Sequence, residues 1–351
     1  MAQALRLAEL GLFSTSPNPR VGCVIARGGQ IIGEGWHQRA GTPHAEVHAL
    51  QQAGQAARGA TVYVTLEPCS HHGRTPPCAD ALIAAGVSRV VAALRDPNPQ
   101  VAGRGLAQLQ AAGITVECGL LEEPARELNI GFVSRMTRGR PWVRLKAAAS
   151  LDGKTALANG VAQWITGAAA RQDVQFWRAR ACAMLTGVGT VLADDPQLNV
   201  RAFETTRQPL RVVVDSLLRT PPGAKILRGG ALIVSAIDDP AKIKDLRNAS
   251  AEVVVLPGDN NRVDLPRLLH LLAEREVNEL MVEAGMSLNG ALLEAGLVDE
   301  LVLYFAPMLL GDAARGLFAL PVLSQMDQRK NLTLHDVRQI GTEIRVIARV
   351  K

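Results

Sequence analysis

The chain has 351 residues, 48% of them hydrophobic, with a formal net charge of +5 and 3% aromatics. At roughly 150 residues per domain this length suggests two domains, and no apolar run of about 18 or more uncharged residues marks a membrane span. The basic residues form no tail or dense stripe, and aromatic platforms for single strands are scarce, so the charge suits small anionic ligands such as phosphates better than nucleic acid.

Residues 1–10 read as an amphipathic helix of the fold rather than a signal peptide. Strands are expected at 21–26 and 31–36, joined by the Gly28-Gly29 turn, then a helix at 45–57 and a strand at 61–65. A helix at 78–85 is stopped by Gly86, and a strand follows at 90–94. A helix at 103–112 is closed by Gly113; then come a strand at 114–118 and one helix over 122–136. This alternation predicts a layered α/β domain over residues 1–140. The polar, turn-forming stretch Thr137-Arg138-Gly139-Arg140-Pro141 is the expected boundary to a second domain, 141–351. There, strands are expected at 142–149, 211–214, 231–234, 252–256 and 279–282, and helices at 167–178, 265–274 and 287–295. Two late apolar segments, 300–306 and 343–350, predict long C-terminal strands.

Five cysteines, an odd and sparse set, do not suggest a disulfide scaffold and fit a reducing cytoplasm. Three chemically loaded segments lie close together: His44-Ala45-Glu46, Pro68-Cys69 and Cys78. One imidazole and two thiolates can hold zinc and leave a fourth position for water. Glu46, two residues from the histidine, is then a proton shuttle rather than a ligand. An isolated His-x-Glu carries little information, and a purely structural zinc would want a fourth protein ligand, for which His71 and His72 are at hand. The combination points to hydrolytic deamination of an aminated heterocycle.

The second half has no Gly-x-Gly-x-x-Gly after a strand, which disfavours a Rossmann domain. Its glycine-bearing segments, 183–191 and 283–291, run from strand into turn and helix, junctions that can put backbone N–H groups on a phosphate.

The segments 44–49 (HAEVHA) and 65–78 (TLEPCSHHGRTPPC), with 17–22 (PNPRVG) and 96–99 (DPNP), closely resemble the bifunctional riboflavin-biosynthesis deaminase–reductase family. General cytidine deaminases often have two residues between the cysteines; here there are eight, as in that family. In the second half, 146–154 (KAAASLDGK), 163–166 (QWIT), 189–196 (GTVLADDP) and 282–285 (VEAG) resemble its reductase part. The resemblance implies an N-terminal cytidine-deaminase-like three-layer α/β/α domain and a C-terminal dihydrofolate-reductase-like α/β domain, with Zn2+ and NADPH as cofactors. It implies zinc on His44, Cys69 and Cys78, and substrate contacts from Asn18, His71 and Arg74. In the reductase it implies cofactor contacts at Ala148, Trp164, Thr190, Asp194 and Ser216, and at Gly285, Met286, Ser287, Leu288, Asn289, Gly290 and Ala291. Substrate contacts are implied at Ala162, Arg178, Leu198, Arg201 and Glu283, with Arg178 and Arg201 suited to a phosphate by their fork-like donors. The proton for ring opening is assigned to Asp194 or Lys146 without separating them. Family members often have proline after the glycine where this chain has Met286, and a small residue where it has Asn289. The expected assembly is a cytoplasmic homodimer formed through the reductase domain, taking phosphorylated pyrimidines and neither nucleic acid nor membrane. Two rivals stand beside this reading: a nucleoside or tRNA deaminase with an RNA-binding second domain, and a non-enzymatic, zinc-stabilised binding protein.

Overall fold

The amphipathic opening forms a helix, Ala2–Glu9 (α1), whose Ala4 and Ala8 are buried. In the computed structural model, which describes residues 1–70, 77–99, 101–162 and 165–351, the chain divides into two compact units, Met1–Arg140 and Pro141–Lys351.

In the first unit the elements after α1 are Gly22–Arg27 (β1), Gln30–Trp36 (β2), Ala45–Ala53 (α2), Thr61–Val64 (β3), Cys78–Ala85 (α3) and Arg89–Ala92 (β4). They continue with Arg104–Ala111 (α4), Thr115–Cys118 (β5), Glu122–Leu128 (α5) and Ile130–Arg138 (α6). The sheet order is β2-β1-β3-β4-β5. β1 is antiparallel to β2 and β3, while β3, β4 and β5 run parallel. Alternation along the strands sends Cys23, Ile25, Val62, Val64, Val90 and Ala92 to one face, where they pack with Ala45, Ala49, Leu82 and Leu109 of α2, α3 and α4. A second cluster, Leu66, Ala93, Leu94, Ala125 and Phe132, gathers with Met1 and Leu5 under α1, α5 and α6. Helix α2 lies close on β2 because Gly33 and Gly35 present no side chain: a Cβ on either would overlap the carbonyl oxygens of Ala49 and Ala45.

The helix expected over 122–136 is two helices. Asn129 breaks it, with φ −109° and ψ 20°. Its amide accepts from Arg20 N–H at 2.7 Å and donates to the Arg20 carbonyl at 2.8 Å, a long-range pairing that outweighs local helix continuity. The helix expected over 45–57 ends at Ala53 and finishes as a 3₁₀ turn, Gly54–Ala57.

The second unit contains Trp142–Ser150 (β6), Lys154–Ala156 (β7), Ala168–Arg180 (α7), Ala183–Gly187 (β8), Val188–Asp194 (α8), Leu210–Val214 (β9) and Ala231–Ser235 (β10). There follow Pro240–Asn248 (α9), Ala251–Val255 (β11), Leu265–Glu274 (α10), Glu279–Val282 (β12) and Met286–Glu294 (α11). Glu300–Ala306 (β13), Arg315–Gly316 (β14), Leu332–Ile340 (β15) and Glu343–Val350 (β16) complete it. Nine strands form one sheet in the order β11-β10-β9-β8-β12-β6-β13-β16-β15, and β7 pairs with β14. The sheet is parallel from β11 to β13, and β16 and β15 add an antiparallel edge. One face packs Leu145, Leu185, Leu232 and Val282 against Leu268, Leu272 and Leu292 of α10 and α11. The other packs Met184, Ile233, Met281 and Val302 against α7, α8 and α9 through Val174, Val191 and Leu246. Among the elements that escaped the periodicity are the short pair β7 and β14, α9, although Asp239 caps it and Pro240 opens it, and the largely exposed edge strand β15.

Buried charge keys the middle of this sheet. Arg144 on β6 bonds Glu279 on β12 and approaches Glu300 on β13 at 3.3 Å. Arg180 of α7 also reaches Glu279, at 2.7 Å.

Candidate zinc and cofactor sites

Residues His44, Cys69 and Cys78 converge at one end of the first unit's sheet, and their ligand atoms all lie within 4.8 Å of one another. His44 caps α2 in an extended conformation. Cys69 follows β3 by five residues, and Cys78 opens α3. His44 Nδ1 is 3.3 Å from Cys78 Sγ and 3.6 Å from Cys69 Sγ, so Nδ1 is the nitrogen presented to a shared ion. The Cys78 backbone N–H donates to Cys69 Sγ at 3.3 Å, putting that sulfur on the first turn of α3, where free N–H groups favour a thiolate. A tetrahedral zinc with bonds of about 2.0–2.3 Å needs ligand atoms separated by about 3.5 Å, and this donor set fits it.

The three donors, crowded together, perturb one another. Hydrogen bonds from the Cys78 thiol and from His44 hold Cys69 well below the ordinary thiol value despite burial. Cys78, donating to Cys69 and buried, is held above it. The hydrogen bond to Cys69 raises His44. Glu46, 3% exposed in the first turn of α2, has its carboxyl pushed up to about 7, chiefly by burial.

Two neighbours of this site escaped sequence reasoning. Glu67, immediately before Pro68-Cys69, is 3% exposed, and its carboxylate accepts four backbone N–H bonds. Asp96 and Gly103 donate to Oε2 at 3.1 and 2.9 Å, and Gly105 and Leu106 to Oε1 at 2.9 and 3.3 Å. It thereby ties the loop before α4, and the start of α4, to the ligand segment. Gly105 permits the approach, since a Cβ there would overlap the Pro68 carbonyl oxygen. The available signal was a glutamate fused to a ligand motif. The second is His37. It is buried, its ring stands edge-on to His44 with centroids 5.1 Å apart, and it is hydrogen-bonded to Asn18 at 3.0 Å. Burial holds it below the ordinary histidine value. Asn18 therefore lies one side chain away from a ligand. His71 and Arg74 fall outside the described residues, as does Trp164.

In the second unit several of the residues expected at the reductase site gather around Glu283, at the carboxyl end of β12. Glu283 directly follows β12, and its backbone N–H is held by the Leu185 carbonyl of β8. Arg178 of α7 grips both Glu283 carboxylate oxygens, at 2.7 and 2.9 Å. The guanidinium fork expected to meet a phosphate thus meets Glu283. Burial raises the Glu283 carboxyl, but Arg178 and Lys146 outweigh it and hold it at about 2. Lys146 on β6 is pushed below the usual lysine value by burial, against the pull of Glu283. Its ammonium is 5.8 Å from the centre of the Tyr304 ring. Arg201 acts on Glu283 through its charge, while its backbone N–H is fixed by Gln175 at 2.9 Å.

Ala148 lies on β6 two residues beyond Lys146. Thr190 and Asp194 lie on α8, where the Thr190 hydroxyl stands 4.0 Å from a Cβ position on Gly285. Gly285 caps α11, so Met286, Ser287 and Leu288 form its first turn. Asn289 is buried, and its amide donates to the carbonyls of Ala284 (3.1 Å) and Leu317 (3.4 Å). Gly290 lies against the Ala319 backbone, and Ala291 continues the helix. At this position the side chain ties α11 to the 317–319 segment, which accounts for an asparagine where relatives are expected to have a small residue. Ser216 accepts from Val263 N–H at 3.3 Å beyond β9. Leu198 is buried with φ +49°, and Ala162 is exposed.

A three-layer unit with a His-Cys-Cys zinc set and a buried glutamate, followed by a largely parallel reductase-like unit, defines a zinc-dependent deaminase joined to an oxidoreductase. The comparisons agree in each half. The cytidine and deoxycytidylate deaminase zinc-binding region matches residues 1–94, and the RibD C-terminal domain matches 141–346. The chain is 51% identical to the riboflavin biosynthesis protein RibD of Escherichia coli K12, over 98% of this chain and 96% of that one. An Acinetobacter baumannii RibD structure superposes with a TM-score of 0.93 at 46% identity, covering 100% of this chain and 97% of the other. The Thermotoga maritima diaminohydroxyphosphoribosylaminopyrimidine deaminase/5-amino-6-(5-phosphoribosylamino)uracil reductase gives 0.88 at 34%, with coverage of 100% and 97%. The chain belongs to the RibD family: it is a bifunctional deaminase and reductase of riboflavin biosynthesis that uses Zn2+ and NADPH and acts on a small pyrimidine substrate. Among the described residues no helix is long and apolar enough to cross a membrane.

Proposed function

We propose that residues 1–140 replace the 2-amino group of 2,5-diamino-6-(5-phosphoribosylamino)pyrimidin-4(3H)-one by oxygen, releasing ammonia, and that residues 141–351 reduce the ribosyl group of the product. The observation that carries the first step is the His44–Cys69–Cys78 cluster with buried Glu46 beside it. His44 Nδ1 and the two sulfurs would hold zinc, which supplies Lewis acidity to the attacking water. Glu46 takes a proton from that water and passes it to the leaving nitrogen, a role suited to a carboxyl poised near neutrality. Asn18 meets the ring edge, and His71 and Arg74 meet the phosphate. The printed activities of the Thermotoga maritima relative support the choice of substrate.

For the second step bound NADPH would supply the hydride for C1′ of the opened ribose, and the product would be a ribitylamino 5′-phosphate. The first turn of α11, with Thr190, Ser216, Ala148, Trp164 and Asp194, would hold the cofactor. Glu283, Arg178, Arg201, Leu198 and Ala162 hold the substrate. The Arg178–Glu283 pair supports a role in orienting ribose hydroxyls, with the exposed cation Arg201 left for the phosphate. Lys146, buried beside Glu283, is better enclosed than exposed Asp194 to deliver the ring-opening proton.

The chain acts in the cytoplasm as a homodimer through the reductase unit. Five free cysteines support a reducing compartment, and edge strand β15, exposing Leu332, Leu334 and Val337, supports pairing. Zinc-loaded protein is to be given the phosphoribosylated diaminopyrimidine with and without NADPH and its products weighed. Ammonia release without NADPH, and a two-hydrogen gain only with it, is the expected result; a two-hydrogen gain with no loss of the amino group would remove the first assignment.

A further inference from the structure

His37 is a buried side chain, edge-on to the ligand His44, that the chemistry above leaves unused. It follows β2 directly and is 3% exposed. Its ring makes two hydrogen-bond contacts: Nδ1 to the Pro43 carbonyl oxygen at 3.2 Å, and Nε2 to Asn18 Nδ2 at 3.0 Å. A peptide carbonyl only accepts, so Nδ1 carries the proton. No carboxylate is bonded to the ring, and a buried imidazolium without a counter-charge is costly, so the ring is neutral and Nε2 offers a lone pair. Asn18 can satisfy that lone pair only by donating an amide N–H. Turning the amide over would set Oδ1 against Nε2, acceptor against acceptor. The orientation of the Asn18 amide therefore follows from the Pro43 carbonyl, through the tautomer of His37. Its Oδ1 is left pointing away from His37, with no partner among the described residues.

We propose that His37 is a positioning residue that fixes Asn18 as a hydrogen-bond acceptor toward the substrate, so that the deaminase selects heterocycles presenting an N–H on the edge that faces Asn18. The proposal rests on the deaminase reading above and on Asn18 as a contact of its substrate. A ring offering only a lone pair or a methyl group on that edge would leave Oδ1 unpaired, and a site built to hydrogen-bond a substrate N–H rejects the analogue lacking it. The positioning is indirect: His37 touches neither water nor the leaving nitrogen in this scheme.

Two substitutions separate the two ring nitrogens. In His37→Gln the side-chain amide reaches the Nε2 position and supplies an acceptor for Asn18. In His37→Asn the shorter amide replaces Nδ1 only and leaves Asn18 without one. The zinc-loaded full chain is assayed for ammonia release, with NADPH oxidation by the second unit and zinc content measured on the same preparation as controls for folding. His37→Asn is expected to raise KM for the diaminopyrimidine by about tenfold or more, the size of one mispaired buried hydrogen bond, with kcat within about threefold. His37→Gln is expected to restore KM to within about threefold of the parent. In an Asn18→Ala background His37→Asn should add nothing, because its effect travels through Asn18. Independently of turnover, 15N chemical shifts of the parent protein should show His37 protonated on Nδ1 and bare on Nε2. An unchanged KM in His37→Asn, a fall in kcat alone, no recovery in His37→Gln, or an Nε2–H tautomer would each overturn the proposal. A parent protein that binds zinc yet releases no ammonia from this substrate would remove the deaminase reading and the proposal with it, an outcome distinct from a parent that turns over while the His37 series stays flat.

Discussion

Replacing Glu67 by glutamine tests whether one buried carboxylate holds the ligand segment in place. The change keeps the volume but converts one carboxylate oxygen to an NH2 group. Because each oxygen accepts two backbone N–H bonds, either orientation of the new amide sets two of the four donors against N–H groups. Each buried donor left unpaired costs about 1–3 kcal/mol, so the substitution should destabilise the first unit by about 2–6 kcal/mol. A domain of this kind has about 5–15 kcal/mol in all. The favourable placement of negative charge at the start of α4 is lost as well. Hydrogen-exchange mass spectrometry across a urea series reads this directly, with peptides of the second unit as internal reference. Peptides covering residues 60–70 and 101–111 should lose protection at lower urea, and zinc should be surrendered faster to a chelator. A urea midpoint and zinc retention equal to those of the parent would refute the argument that these four bonds hold the segment.

Three further outcomes are expected. Glu46→Gln should lower kcat for ammonia release by about 10²–10⁴, the usual contribution of a positioned acid–base group, with zinc stoichiometry unchanged. Removing zinc with a chelator should abolish ammonia release while NADPH oxidation on the deaminated intermediate continues; parallel loss of both would show that the second activity also needs the metal. The Glu283 carboxyl is held at about 2 against an ordinary value of 4.5. Its contribution to stability is therefore complete above about pH 4.5 and is lost as pH falls through 2. Arg178→Met removes the partner that lowers it, so near-ultraviolet circular dichroism should show the second unit unfolding at a higher pH in that acid window.

The zinc site was legible in sequence because its chemistry is local. His44 and Glu46 share a helix start, and Cys69 and Cys78 flank one loop, so residue type and spacing alone bring four groups near one another. The central strands were legible because each is buried on both faces and reads as an apolar run. What could not be read depends on partners far along the chain. Arg178 was assigned to a phosphate because nothing local reveals that Glu283, 105 residues away, occupies its fork. Glu67 looks like part of a ligand motif until the backbone N–H groups of residues 96–106 arrive around it. The break at Asn129 is invisible for the same reason, since helix propensity over 122–136 is intact. Strand β15 failed differently: with almost every residue exposed it has no buried face to impose alternation.

That Asn129 pairing sets a schedule for how the protein is made. The Arg20 backbone, 109 residues upstream, has both its donor and its acceptor satisfied by this one side chain. Until residue 129 has been synthesised, the segment that carries Asn18 and leads into β1 cannot be locked. Closing so long a loop is slow compared with forming the local helices. The amino-terminal unit thus completes itself late within its own synthesis, yet still before the nine-stranded sheet of the following unit has been translated. A nascent chain halted shortly before residue 129 should expose the 17–22 segment to protease, and one halted after residue 140 and clear of the ribosome should protect it.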